Sequence, residues 1–291
     1  MASNCIRHAA LALSSLLLTG ALSQAQAAPR KITEVQLSHG SVSIHDYGTL
    51  KLHAYHTGDP LGDECYVLET KSSLIAIESP AFEANLQDWK LYTEGLKKPL
   101  KDVLLAAHPT GGQWYGKAKS HATPSAKAAI SEGDTKKLVG SLKQAFGPSF
   151  LDELPPIDVT HPEGPVTLDG VKFVFTNVGP TYNIEIPALR AVYTHMLGAD
   201  CHSILPSPAI ADGTIAMLRG FQKNRYEVIL SGHHRPEGQR EVATKIAYIE
   251  KAKALAAQSK SKDEFLGLMK AAFPGYAGQN YLDMTASFLF Q

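Results

Sequence analysis

Four histidines and one cysteine stand where a sequence would place metal ligands or acid–base groups. His108, His195 and His233 each come at or just after the end of an apolar run of strand type, and Cys201 and His234 follow closely behind. Imidazole binds zinc and iron and titrates near neutral pH, and a cysteine thiolate binds the same metals. These residue types therefore point to a metal site or to metal-free acid–base chemistry in loops that follow strands.

We interpret His108 and His233 as the catalytic pair, because an imidazole exchanges protons near neutral pH with or without a metal. A covalent mechanism would also need a nucleophile, and the nearby loops offer four candidates: Thr110, Thr181, Ser231 and Cys201. The Gly-x-Ser-x-Gly elbow of serine hydrolases is absent from the sequence. Spacing alone leaves open whether these loops hold a metal, act without one or only bind a ligand.

The elements that must position these residues are short strands alternating with amphipathic helices. Apolar and β-branched runs predict strands at 32–37, 42–47, 50–56, 64–68, 73–77, 103–107, 171–175, 191–193 and 226–230. Helical spacing predicts helices at 81–96, 123–146 with a break at Gly133, 209–221, 242–258, 262–273 and 280–290. Strands followed by helices in two similar halves indicate an α/β fold, a four-layer αββα sandwich with a C-terminal helical extension.

Three loops carry a resemblance to a known family. They are residues 107–114, 177–181 and 231–236, and each follows a strand, where loops can direct side chains into a crevice. At these residues the chain resembles the metallo-β-lactamase-fold superfamily, from about residue 50 to the C-terminal helices. It looks most similar to periplasmic members that carry C-terminal helices. The resemblance implies an αββα sandwich and a zinc-dependent hydrolase ancestry.

The first loop of the family reads His-x-His-x-Asp-His. His108 matches its first histidine, whereas Thr110, Gly112 and Gln113 occupy the other three places. The resemblance therefore implies that one ligand of four remains in this loop.

The other family motifs are also altered. Pro180 replaces the histidine of the Gly-His-Thr loop, just before Thr181, and the bridging aspartate falls at Met196. The closing Gly-His is intact as Gly232-His233. By the family pattern, one metal position keeps His108 and the other keeps His233, so we expect no dinuclear zinc site and no metal cofactor.

Two functional hypotheses follow. The first is a binding protein for a small molecule or a partner protein, without classical zinc hydrolase activity. The alternative is a hydrolase that is metal-free or uses a rearranged mononuclear site, with zinc or iron bound by residues drawn from a set of four: His108, His195, Cys201 and His233. In either case the predicted cleft is lined by loop residues, namely Thr110, Gln113, Trp114, Pro180, Thr181, Met196 and His234.

The N-terminus predicts export to the periplasm or secretion. Arg7 and His8 precede an apolar stretch, and residues 25–27 form a small-x-small cleavage site. Thr19 and Gly20 interrupt the stretch, which falls short of the roughly 20 apolar residues of a spanning helix. We therefore expect a signal peptide at 1–27, no membrane span after its removal, and a single domain at 28–291 in which residues 239–291 form the C-terminal helical part.

Composition narrows the choice of partner. The 291 residues include 28 basic and 28 acidic side chains, so the formal net charge is zero. Such a balance disfavours nucleic acid, and we expect a small-molecule ligand or substrate. The oligomeric state is left open. An oxidising compartment would permit a disulfide between Cys65 and Cys201, which their spacing neither requires nor excludes.

Overall fold

The computed structural model describes residue 29, residues 31–112 and residues 114–290. The predicted signal peptide at 1–27 and Gln113 of the predicted cleft lie outside the described residues. Within them, the chain forms two β-sheets and seven α-helices.

The first sheet follows chain order. In the described part of the chain its strands are β1 (Lys31–Gln36), β2 (Ser41–Asp46), β3 (Lys51–His56), β4 (Glu64–Glu69), β5 (Leu74–Ile77), β6 (Leu100–Leu104), β7 (Lys119–Ala122) and β8 (Val159–Thr160). Strands β1 to β5 pair antiparallel, whereas β5 to β8 pair parallel. The parallel strands send their C-terminal ends to one edge of the sheet.

The second sheet has the order β13-β12-β11-β10-β9. Its strands are β9 (Gly164–Leu168), β10 (Val171–Val178), β11 (Thr181–Ile186), β12 (Ala191–Thr194) and β13 (Val228–Ser231). Strands β12 and β13 run parallel with Thr194 opposite Ser231, so the loops that follow them leave from the same edge.

Helices cover both outer faces. They are α1 (Glu83–Gly95), α2 (Pro124–Ser131), α3 (Asp134–Phe146), α4 (Pro208–Lys223), α5 (Gln239–Gln258), α6 (Lys262–Ala272) and α7 (Gln279–Leu289). Thr123 and Ser207 cap α2 and α4 through their hydroxyl oxygens, each just before a proline in the first helical turn.

The main core lies between the sheets, and strand alternation decides what each side chain contacts. Tyr193 and Leu230 belong to the core between the sheets, whereas their neighbours Val192 and Ile229 pack with α4 to α7. This arrangement confirms the predicted αββα sandwich with C-terminal helices.

Most predicted elements appear, with their ends shifted by a few residues. The helix predicted at 123–146 is two helices separated near Gly133, as the break indicated. The strand predicted at 103–107 begins earlier, at Leu100, and β7 is absent from the sequence-based assignment because its four residues carry no apolar run.

Two further expectations concern cysteines and membranes. Cys65 and Cys201 are both buried and free, so the disulfide that the spacing left open is not formed. Among the described residues, no helix combines the length and the hydropathy that crossing a membrane requires.

Candidate metal centre

Three histidines from three different loops meet at one point. The Nε2 atom of His108 lies 3.2 Å from that of His195 and 3.2 Å from that of His233. The remaining pair, His195 and His233, is separated by 3.1 Å. Three ring nitrogens therefore form a nearly equilateral triangle, which we call the histidine triangle.

The sheet topology explains why these loops meet. His195 follows β12 and His233 follows β13, and these two strands are parallel and in register. His108 comes from the loop after β6, a parallel strand of the other sheet. Because the C-terminal ends of parallel strands gather at one edge, the crevice between the two sheets opens there.

The spacing fits one metal ion. Three nitrogens bound to a single tetrahedral zinc at about 2.0–2.1 Å lie roughly 3.3 Å from one another. The observed separations of 3.1–3.2 Å agree with that value. The N–H of a neutral imidazole points at one neighbour only, so hydrogen bonds among the three rings leave at least one Nε2 atom without a partner. A single cation would instead accept the lone pairs of all three nitrogens.

Asp63 and Leu61 orient His233. Its Nδ1 atom donates to the carbonyl of Leu61 at 3.2 Å and lies 3.2 Å from Oδ1 of Asp63. A carbonyl can only accept, so the hydrogen of the neutral ring sits on Nδ1 and the lone pair on Nε2 faces the triangle. A histidine that donates its outer nitrogen to a carboxylate or a carbonyl is the usual arrangement behind a metal ligand.

Asp63 also faces His108. Its side chain is 1% exposed, and its Oδ1 atom lies 3.9 Å from Nδ1 of His108. Both of these atoms are buried without a hydrogen bond in the described structure. A buried carboxylate next to three imidazoles would offset part of the charge of a divalent cation.

Burial sets the charge of the rings. It lowers the pKa of His108 and of His195 well below 6.5, and the neighbouring imidazoles lower both further. Burial also lowers the pKa of His233, but the close contact with the Asp63 carboxylate and its charge outweigh that effect and raise the pKa overall. His108 and His195 are therefore neutral and ready to bind a metal at pH 7, and a metal would displace a proton from part of the His233 population.

A buried carboxylate holds the His108 loop. Glu78, directly after β5, accepts the backbone N–H groups of Ala106, Ala107 and His108 at 3.1, 2.7 and 2.8 Å. Tyr193 donates its hydroxyl to the same carboxylate at 2.8 Å. Burial raises the pKa of Glu78 to about 7, and its backbone adopts the left-handed region at φ 62°. A strained, fully buried residue that anchors this loop indicates a site whose geometry is held rigidly.

The loops after β12 and β13 are fastened to the first sheet. Tyr66 donates its hydroxyl to the carbonyl of Ser231 at 2.7 Å and accepts the N–H of the same residue at 3.0 Å. Gly232 donates its N–H to the carbonyl of His195 at 2.9 Å. A Cβ atom at Gly232 would lie 3.0 Å from ring atoms of both His108 and His195, so glycine leaves room for the close approach of these rings.

Solved structures with the same architecture decide the fold. A stereoselective inverting sec-alkylsulfatase from Pseudomonas sp. superposes with a TM-score of 0.55 at 17% identity, covering 84% of this chain. A metallo-β-lactamase family protein from Thermus thermophilus superposes with a TM-score of 0.57 at 13% identity, covering 82% of this chain and 91% of its own. The chain has the metallo-β-lactamase fold. It spans 48% of the length of the alkylsulfatase. No protein-family profile and no curated protein matches the sequence.

Within this metallo-β-lactamase fold, two cavities flank the histidine triangle. One of about 200 Å³ is bordered by His195 together with Thr181 and Met196 of the predicted cleft. The other, of about 430 Å³, is bordered by His233 and His234. Burial lowers the pKa of His234 to about 4, so its ring is neutral at pH 7. These positions place Thr181, Met196 and His234 beside the histidine triangle.

Other predicted site residues lie elsewhere. Trp114 packs in the core and donates its ring N–H to Thr93 at 3.1 Å, which corrects its predicted place in the cleft wall, because its large apolar ring is buried against Trp89. Thr110 is buried, and Pro180 is exposed at the turn between β10 and β11.

Among the described residues, Cys201 does not join the histidine triangle of His108, His195 and His233. It pairs instead with Ala277 in an isolated bridge beside the C-terminal helices. Of the four residues proposed for a rearranged site, the structure therefore brings together the three histidines.

The sequence did not single out three residues that lie around the histidine triangle: Glu78, Lys245 and Asp63. Glu78 follows an apolar strand, the same signal that singled out the histidines, and could have been found by it. Lys245 stands in the apolar stripe of α5 between Val242 and Ile249, a weaker signal. Asp63 has no sequence signal, because it is one of two aspartates in a short turn-rich loop, residues 57–63, and nothing in the sequence distinguishes it from Asp59.

Proposed function

We propose that this chain is a metal-dependent hydrolase with a single divalent ion bound by His108, His195 and His233. The observation that carries the proposal is the convergence of their three Nε2 atoms within 3.2 Å of one another. Three imidazoles suit zinc best, and iron is the second candidate. This adopts the alternative of the sequence analysis, a rearranged mononuclear site, without Cys201.

One ion rather than two is expected because His233, the ligand that the family pattern leaves to the second position, already belongs to the triangle. Met196 and Pro180 stand where an aspartate and a histidine would be needed for a dinuclear site. A thioether is a poor zinc ligand, and proline has no coordinating side chain. The residues present therefore fit a mononuclear centre.

The ion would activate water, and residues of the chain would position the ligands. A zinc ion held by the three imidazoles would lower the pKa of a water molecule from 15.7 towards about 7 and so supply a nucleophile for hydrolysis. Asp63 fixes the orientation of His233, and Glu78 fixes the backbone of His108. The side chains of His108 and His233 are 13% and 14% exposed, so the site is sheltered yet open to a substrate from the flanking cavities.

Metal content tests the proposal. Protein purified without an affinity tag is analysed by elemental mass spectrometry, next to His195→Ala and to His39→Ala, which replaces an exposed histidine outside the site. We expect close to one zinc or iron per chain in the wild type and in His39→Ala, and far less than one in His195→Ala. Content far below one in the wild type would overturn the proposal and favour the metal-free binding protein.

Activity is tested in parallel. The substrates are a β-lactam, a secondary alkyl sulfate and simple carboxylic esters, the first two chosen from the names of the fold and of the similar alkylsulfatase. Hydrolysis that the wild type loses on chelation and regains with zinc supports a hydrolase. A fully loaded protein that hydrolyses none of these leaves a metal-binding protein and counts against the hydrolase.

We also propose export through a signal peptide at 1–27, on the basic start, apolar stretch and cleavage motif of the N-terminus. Mass spectrometry of the N-terminal peptide from the periplasmic fraction tests this. Ala28 as the first residue supports export, and an intact N-terminus in the cytoplasmic fraction contradicts it.

A further inference from the structure

Lys245 is a buried cation beside the metal centre. It lies on α5 and is 3% exposed, and its Nζ atom donates to the carbonyls of Gly198 and Cys201 at 2.8 and 2.6 Å. Among the described residues, no carboxylate lies within ion-pair distance of it. Its ammonium also lies 4.9 Å from the centre of the Tyr248 ring. An ammonium group has three N–H donors, so the two carbonyls leave one donor and no directly paired anion.

The cavity of about 200 Å³ next to His195 is lined by this lysine. The strand ends of the second sheet form one side of it, and α4 forms another, with Met217 in its wall. Among the described residues that line it, Lys245 is the one with an ammonium, guanidinium or carboxylate group. The wall of the cavity therefore carries a cationic side chain and no anionic one.

A second donor faces the same cavity. Asn183, on β11, directs its amide N–H at the sulfur of Met217 at 3.3 Å. A thioether is a weak acceptor, so this amide is poorly satisfied in the structure. An oxygen anion in the cavity would give both Asn183 and Lys245 a stronger partner.

One acidic side chain near Lys245, Glu237, is already engaged by backbone donors. Glu237 accepts the backbone N–H groups of Gly198 and Ala199 at 2.9 and 2.8 Å, and so holds the loop that Lys245 contacts from the other side. The carboxylates of Glu237 and Asp200 both act on the lysine through space rather than by direct pairing. A directly bound anion is therefore the ion partner that Lys245 lacks in the described structure.

We propose that this cavity binds a singly charged anionic group of the substrate, a carboxylate or a sulfate, with Lys245 as its charge partner and Asn183 as a second donor. The inference rests on the proposed hydrolase function and names its substrate class. A cavity of about 200 Å³ is smaller than the roughly 300–1,000 Å³ of typical ligand sites, so it admits the anionic group and a short chain. The bond to be cleaved would then lie towards His195 and the metal.

The test uses the full chain freed of metal with a chelator, so that anions cannot bind an ion. Acetate, methyl sulfate and the neutral acetamide are titrated, and methionine methyl groups are observed by NMR. Met196 and Met217 line the cavity, whereas Met269 lies in the core of the C-terminal helices and serves as internal reference. We expect one or both anions to shift the two cavity signals saturably, and acetamide to leave them unchanged.

Two variants separate binding from structure. Lys245→Gln keeps a hydrogen-bond donor but removes the charge, and we expect it to weaken anion binding about tenfold or more. Lys251→Met removes an exposed lysine of the same helix and should bind as the wild type does. If Lys245 serves the fold alone, Lys245→Gln loses stability but the wild type shows no preference for anions over acetamide, which overturns the inference.

Failure of this inference is distinct from failure of the proposed function. Anion binding in a protein that takes up no zinc would support the anion site and refute the metallohydrolase. Zinc uptake at the histidine triangle without saturable anion binding would support the metal site and refute the anion site. If acetate binds and methyl sulfate does not, the substrate class is a carboxylate, and the opposite result assigns a sulfate.

Discussion

Gly232→Ala tests whether the close approach of His108 and His195 is what binds the metal. The added Cβ would lie 3.0 Å from Cε1 of His108 and 3.0 Å from Cδ2 of His195, whereas ordinary contacts begin at 3.4 Å. The two rings must therefore retreat by several tenths of an ångström, since carbon atoms repel steeply at shorter range. Gly232 is not among the residues with positive φ, so its backbone conformation suits alanine. The added Cβ would also lie 3.0 Å from the backbone carbonyl oxygen of His195.

The expected loss follows from the geometry. Widening the triangle from 3.1–3.2 Å by several tenths of an ångström carries the nitrogens past the roughly 3.3 Å spacing of one tetrahedral ion. Disturbing the support of metal ligands typically costs 10–100-fold in affinity, about 1.4–2.7 kcal/mol. We expect a zinc dissociation constant raised by about that factor, measured by competition with a chromophoric chelator.

A matched control separates this effect from general damage. Gly220, within α4, has nothing within 4 Å of an added Cβ, so Gly220→Ala should keep the zinc affinity of the wild type and gain up to about 1 kcal/mol of stability. Circular dichroism of the metal-free proteins checks that each is folded. If folded Gly232→Ala binds zinc within twofold of the wild type, the proposed role of the triangle is refuted.

Three further predictions concern groups around the site. Asp63→Asn should lower the pKa of His233 in the metal-free protein, which an NMR titration measures. It should also weaken the affinity for zinc about 10–100-fold. An unchanged zinc affinity would contradict the role of Asp63. Glu78→Gln should lower the free energy of unfolding, measured with urea, by about 2–4 kcal/mol, because an amide cannot accept all four hydrogen bonds. The control Glu83→Gln, at an exposed position, should have little effect. Burial lowers the pKa of Lys245 from 10.5 to about 8, so between pH 8 and 10.5 the folded protein binds fewer protons than the unfolded chain. The free energy of unfolding of the wild type should therefore rise by about 3 kcal/mol across that range relative to Lys245→Met. Parallel pH profiles for the two proteins would refute this.

The sequence by itself determined the architecture. Strands and helices are encoded by local periodicity, and the chain shows period-2 runs and helical stripes in the order that an αββα sandwich requires. It also located the loops that carry His108, His195 and His233, because polar residues at the ends of apolar strands are visible without a structure.

Only the tertiary structure decided which of these residues meet. Whether His195 or Cys201 completes the site depends on the parallel register of β12 and β13, which sets Thr194 opposite Ser231 and so directs His195 and His233 to one edge. Long-range pairing of this kind leaves no local trace in the sequence. Asp63 and Lys245 acquire their roles in the same way, since burial and the lack of a counter-charge are properties of the packed molecule and not of any segment.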